Sequence, residues 1–119
     1  MSDADEKKII DNLKATKPRS YAVYMLGGAV QWTGSYIAAS CRKAANRKIG
    51  LILLTHLATA LQQVQDGGSC KATVQEATDL LSALKDGFAK QGDHEMAHVL
   101  GVVVDQLNEA AESAERASS

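Results

Sequence analysis

The chain is 119 residues long with 45% hydrophobic and 23% charged residues, which is one domain's worth of ordinary globular sequence. Its formal net charge of -1 and pI near 6.3 exclude a strongly basic histone-like protein, and the composition excludes a disordered tail or collagenous fibre. A single Pro argues against a chain built of many turns, and four of the five aromatics fall between Tyr21 and Tyr36.

The elements predicted in chain order are all helical. Asp3–Lys14 is a short amphipathic stretch whose apolar side is Ile9, Ile10 and Leu13, and residues 1–19 read as an N-terminal arm. Pro18 biases Lys17 away from helix, and Ser20 can cap the next helix. This second helix is expected over Ser20–Ala45 and a third over Ile49–Gln65. With no Pro between them, Asn46 and Gly50 are the break points, and one bent helix is an open alternative. Asp66-Gly67-Gly68-Ser69 is a stop and turn. A fourth helix spans Thr73–Gln91, with Val74, Ala77, Leu81, Leu84 and Phe88 at alternating steps of three and four. Thr73 and Glu76 have the form of a capping box. Gly92 ends it and Asp93 can cap a fifth helix from His94 to Arg116, leaving 117–119 as a frayed tail. Met96, Leu100, Val103, Leu107, Ala110 and Ala114 form a heptad-like seam on that helix. No strand is expected, no repeat of solenoid length is present, and the fold class is an all-α bundle of four main helices plus a short N-terminal one.

Ser20–Cys41 is uncharged over 22 residues, flanked by Lys17 and Arg19 before it and Arg42 and Lys43 after it. That length can span a bilayer, but its Ser, Thr, Gln and Gly residues lower the mean hydropathy, so a buried core helix is expected and no membrane span. On a helical wheel Tyr21, Met25, Trp32 and Tyr36 share a face, while Val23, Gly27, Gly34 and Cys41 lie opposite, where small residues let another helix approach. A domain this size has little room for one fully buried helix. The chain is therefore expected to be a non-catalytic interaction or assembly protein. Self-association would run through the aromatic face of helix two or the seam of helix five, and a protein partner would meet Tyr21, Tyr24, Trp32 and Tyr36.

Charge is divided along the chain. Residues 1–48 carry a net +5 and residues 49–119 a net -6. Lys17, Arg19, Arg42, Lys43, Arg47 and Lys48, with tyrosines nearby, support an alternative reading as a small nucleic-acid-binding subunit, since phosphates attract cations and bases stack on rings. The bland reading of Arg42, Lys43, Arg47 and Lys48 is a solvated helix end whose cations meet the helix dipole.

His94-Glu95-Met96-Ala97-His98, with Gly101 three residues on, resembles the zinc metalloprotease signature in its metzincin form. The resemblance covers about eleven residues. It implies zinc held by His94 and His98, with Glu95 as general base. Val104 stands where that family has its third ligand, and Asp105 falls one residue late, on another face. No strands accompany the motif to hold a substrate. Glu95 and His98 also form one Glu-x-x-His, half of a di-iron bundle motif whose second copy is missing. His56 is expected to be a core or boundary residue, although a site shared with His94 and His98 across a bundle is geometrically open. Zinc or another divalent metal at His94 and His98 is thus the third reading, and no cofactor is expected under the first two. Cys41 and Cys70 fit no disulfide framework or zinc motif and are read as buried apolar residues of a reduced, cytoplasmic protein. The N-terminus, opening on acidic residues, does not look like a secretory signal.

Overall fold

The computed structural model describes residues 3–40 and 44–118, with side chains for 3–36 and 47–118. Five helices account for nearly all of them: α1 (Asp3–Thr16), α2 (Pro18–Ser40), α3 (Ala44–Gln65), α4 (Lys71–Lys90) and α5 (His94–Ser118). No strand occurs among the described residues. The expected all-α class is thus what the chain adopts. The break expected near Asn46 or Gly50 is not there, since α3 already runs from Ala44. How α2 passes into α3 lies outside the described residues.

Helices α2 to α5 pack as neighbours in chain order, and α5 closes the ring by returning against α2. The turns explain the order. Gly67 takes φ +87°, its N–H donates to the Val64 carbonyl, and the Gly68 N–H donates to the Gln63 carbonyl. Gly92 at φ +85° ends α4 in the same way, with Asp93 N–H on the Phe88 carbonyl. These left-handed glycine stops are needed because a side chain at that φ would strain the backbone. Asp93 Oδ1 then accepts the Met96 N–H at 3.1 Å and caps α5, as the sequence predicts. The capping box at Thr73 is not formed. α4 begins at Lys71, behind Cys70, so Thr73 already lies inside the helix. The Ser69 hydroxyl meets the Lys71 N–H at 3.3 Å instead.

Each main helix gives one stripe to the core. The stripes are Ala22, Leu26 and Ala29 from α2; Leu53, Leu57, Ala60 and Val64 from α3; Val74, Ala77 and Leu81 from α4; and Leu100, Val103, Leu107, Ala110 and Ala114 from α5. Spacings of three and four keep these residues on one side of a 3.6-residue helix. The predicted α4 and α5 seams are therefore the core, with Leu84, Phe88 and Met96 half-buried at its edge. Cys70 joins them, buried as expected, and burial pushes its thiol pKa up. Cys41 lies outside the described residues.

α1 is different. None of its residues is buried, and only Ile10, Leu13 and Lys14 are half-buried. It rests chiefly on the start of α2.

Candidate interaction surface

Helical geometry fixes which side of α2 faces which neighbour. The Tyr21 hydroxyl donates to Glu109 Oε2 on α5 at 2.7 Å, so the Tyr21–Met25–Trp32 side faces α5. Val23, Gly27, Val30 and Gly34 then lie toward α3. Between these sides the buried stripe faces the core, and Tyr24, Gly28, Gln31 and Ser35 face outward, all exposed.

The four aromatics proposed as contact residues therefore part company. Tyr21 and Tyr36 are buried within the chain, and Trp32 is half-buried and stacked on Tyr36 with ring centroids 5.5 Å apart. Only Tyr24, 54% exposed, stands free to meet another molecule. Burial and the bond to Glu109 raise the Tyr21 pKa to about 12, and Glu109 is correspondingly lowered by the Tyr21 and Lys14 hydrogen bonds. The fifth-helix seam is likewise occupied internally.

The expected close-approach side of α2, half-buried toward α3, leaves room at its glycines, as does Gly28 on the outward face. A Cβ built at Gly27, Gly28 or Gly34 meets no atom within 4 Å among the described residues. On this side stand two of the five exposed large apolar residues among those described, Tyr24 on α2 and Leu51 on α3, whereas exposed Val102 on α5 lines the α4–α5 groove with Lys85, His98 and Asp105. The exterior here is also neutral. From Ser20 to Tyr36 on α2 there is no charged residue, and from Ile49 to Gln65 on α3 the only titratable group is His56, on the other flank beside Glu76 of α4. The opposite exterior, built from α4 and α5, exposes Glu76, Asp79, Lys85, Asp86, Asp105, Glu112 and Glu115 among others.

The basic residues do not converge. Lys17 and Arg19 lie at the start of α2, and the Arg19 guanidinium sits beside Gly67 in the α3–α4 turn. Arg47 and Lys48 are exposed in the first turns of α3, at the far end of the bundle, about 30 Å away by helix rise. Arg42 and Lys43 lie outside the described residues. For Arg47 and Lys48 the favourable dipole contact does not hold. Arg47 and Lys48 sit at a helix N-terminus, the positive end, where cations are disfavoured.

His94 and His98 are exposed on α5, away from the core. His98 shares a shallow groove with Ser82, Lys85 and Asp105 on the α4–α5 exterior. The Lys85 ammonium lies 3.2 Å from where a Gly101 Cβ would be, a cation beside the supposed metal site. His56 is on α3 with Nδ1 3.5 Å from Glu76 Oε2, so the three histidines do not meet. Among the described residues no group of three His, Cys, Asp or Glu is placed to hold a metal ion. No described helix is long and apolar enough to cross a membrane.

Tyr24, Gly27, Gly28, Gln31 and Leu51 as a surface were not legible as such in the sequence. The signal was the lack of charge in both α2 and α3, which became a face only when the two helices were placed side by side. No family model, curated protein or solved structure matches the chain.

Proposed function

We propose that this chain is a non-catalytic assembly protein that associates with a second copy of itself through the outer face of α2 and its margin on α3. The observation that carries the reading is the neutral exterior around Tyr24, Gly27 and Gly28, against an α4–α5 exterior dense in charge. Large apolar residues gathered on one side of a small domain mark an interaction site. A second copy suits the face for two reasons. A neutral surface meets its own twin without repulsion, as a two-fold interface requires. The face also offers both a projection, Tyr24, and a flat seat, Gly27 and Gly28, within one turn of each other. Its size sets the strength. A strip two helix widths across and about 25 Å long covers on the order of 500 Å² per copy, about 1,000 Å² in all. That is the low end for specific association, so the dimer is expected to be weak and concentration-dependent.

Light scattering across a concentration series tests this, with absorbance read at 260 and 280 nm. The expected result is a protein-only species moving from 12.6 kDa toward twice that mass as concentration rises. A monomer at every concentration, or a heavier species only when nuclease-sensitive material is present, overturns it.

A further inference from the structure

The N-terminal helix is joined to the bundle in an unusual way. α1 ends at Thr16 and α2 begins at Pro18, with one residue between them. Hydrogen bonding runs almost without interruption across the joint. The Lys17 N–H donates to the Leu13 carbonyl at 2.8 Å, and the Tyr21 N–H donates to the Lys17 carbonyl at 3.0 Å. The missing rung is at Pro18, which has no N–H to offer the Lys14 carbonyl and whose ring crowds it. The joint therefore lacks one rung at a single place and has no loop on either side of it.

What holds α1 down is equally localised. Lys14 Nζ donates to Glu109 Oε1 at 3.1 Å, while the Tyr21 hydroxyl takes Glu109 Oε2. The same ammonium lies 5.6 Å from the centre of the Tyr21 ring. One carboxylate on α5 thus ties together α1 and α2, and the cation covers the ring. Against this, α1 buries no residue, and Ile9 on it is 56% exposed. An arm with so little apolar anchorage depends on its polar tie more than a core helix does.

We propose that α1 is a latched arm, hinged at Lys17–Pro18 and fastened by the Lys14–Glu109–Tyr21 cluster. Its release takes Lys14 from Glu109, which stays bonded to the Tyr21 hydroxyl, and removes the ammonium from the Tyr21 ring beside exposed Tyr24, at the start of the neutral α2 face. The device belongs to the single chain and does not require self-association.

Hydrogen exchange of the full chain, resolved by peptide, tests the latch in Glu109→Gln, Lys14→Met and Tyr21→Phe. Lys14→Met keeps the aliphatic packing and removes only the charge. Glu109→Gln and Lys14→Met are expected to speed exchange of α1 amides about three- to tenfold, with α2 to α5 unchanged. Tyr21→Phe, which leaves the Lys14 pair intact, is expected to do less. Unchanged α1 exchange in the first two variants overturns the latch. So does wild-type α1 exchange at the rate of an unstructured chain. A rise spread evenly over all five helices overturns it as well, because Glu109 would then be acting on the whole bundle.

Discussion

The two exteriors of this bundle are built over one core and yet differ in kind. The α4–α5 side follows the usual pattern of an amphipathic helix, an apolar stripe inward and charge outward. The α2 side has the same inward stripe, but glycine, glutamine, serine and tyrosine outward. Inside, the layers are equivalent. Outside, only one carries the charge that keeps a surface soluble and apart from its neighbours. If the chain associates as proposed, stability and association can be varied separately, because they would depend on opposite sides of the same helix.

The largest expected effect checks the claim of equivalence. Leu26→Ala on α2 and Leu107→Ala on α5 remove fully buried side chains. Each is expected to cost about 2–5 kcal/mol in chemical denaturation. A cost below about 1 kcal/mol at Leu26 alone would mean that α2 is not a core helix and that the comparison has been drawn between unlike things.

Next comes association. Tyr24→Asp puts a charge on the neutral face at an exposed position and is expected to weaken the dimer at least tenfold by sedimentation, with little change in melting temperature. Asp105→Lys, a change of sign on the charged exterior, is expected to leave the dimer as it was. Equal effects from both would erase the distinction between the two sides.

A third test lies just beneath the face. Thr33 is 1% exposed, and its hydroxyl has no hydrogen-bond partner among the described residues. A buried unpaired hydroxyl is a cost, so Thr33→Val is expected to raise stability by about 1 kcal/mol in urea unfolding. A loss of similar size would point to a partner for that hydroxyl.

Gly27→Ala sharpens the comparison further, because its two effects have opposite signs. With open space at the Cβ position and a helical backbone, the monomer is expected to gain about 0.5–1 kcal/mol. The dimer, if Gly27 is part of its seat, is expected to weaken. Gain in both would remove Gly27 from the interface.

The smallest effect concerns acid. The Glu109 carboxylate is faced by Lys14 from α1, Tyr21 from α2 and Arg116 on α5, with Asp11 of α1 near Tyr21. Its lowered pKa means that its contribution is full above the ordinary carboxylate value, about 4.3, and is lost as pH falls through the lowered one. With both Lys14 and Glu109 more than one-third exposed, about 0.5 kcal/mol is at stake. Exchange of α1 should therefore quicken selectively in acid, and Glu109→Gln should abolish that pH dependence.

Much of the fold could be read in advance, and the reasons for the failures are physical. On α4 and α5, polar residues alternate with apolar ones at helical spacing, so the phase of each helix is unambiguous and Leu81 and Leu107 fall where expected. α2 is apolar or small all round. Its wheel has no strong direction, and ring size suggested a face centred on Tyr21 and Trp32 when the core takes Ala22, Leu26 and Ala29. The smaller residues win because the bundle closes tightly there, while the large rings lie along its edge. The arrangement of the basic residues needed the fold for another reason. The basic groups around Lys17 and Arg47 are separated by the length of a whole helix once α2 is formed. The capping box failed because Gly67 and Gly68 let α4 start two residues sooner than Thr73 would have set.

The order of packing also bears on how the chain reaches this shape. Three of the four main helix contacts join elements that are consecutive along the chain, so each can form as a local hairpin with little loop-closure entropy. The fourth, α2 against α5, cannot. Its Tyr21–Glu109 bond links residues 88 apart, and Lys14–Glu109 spans 95. Closing the ring is therefore the one step that must gather distant chain, and it is completed at the same carboxylate that fastens α1. A topology this local belongs among the fast folders, in the microsecond-to-millisecond range. Because α1 opens apart from the bundle, Lys14→Met is expected to leave both the folding and the unfolding rate of α2 to α5 unchanged.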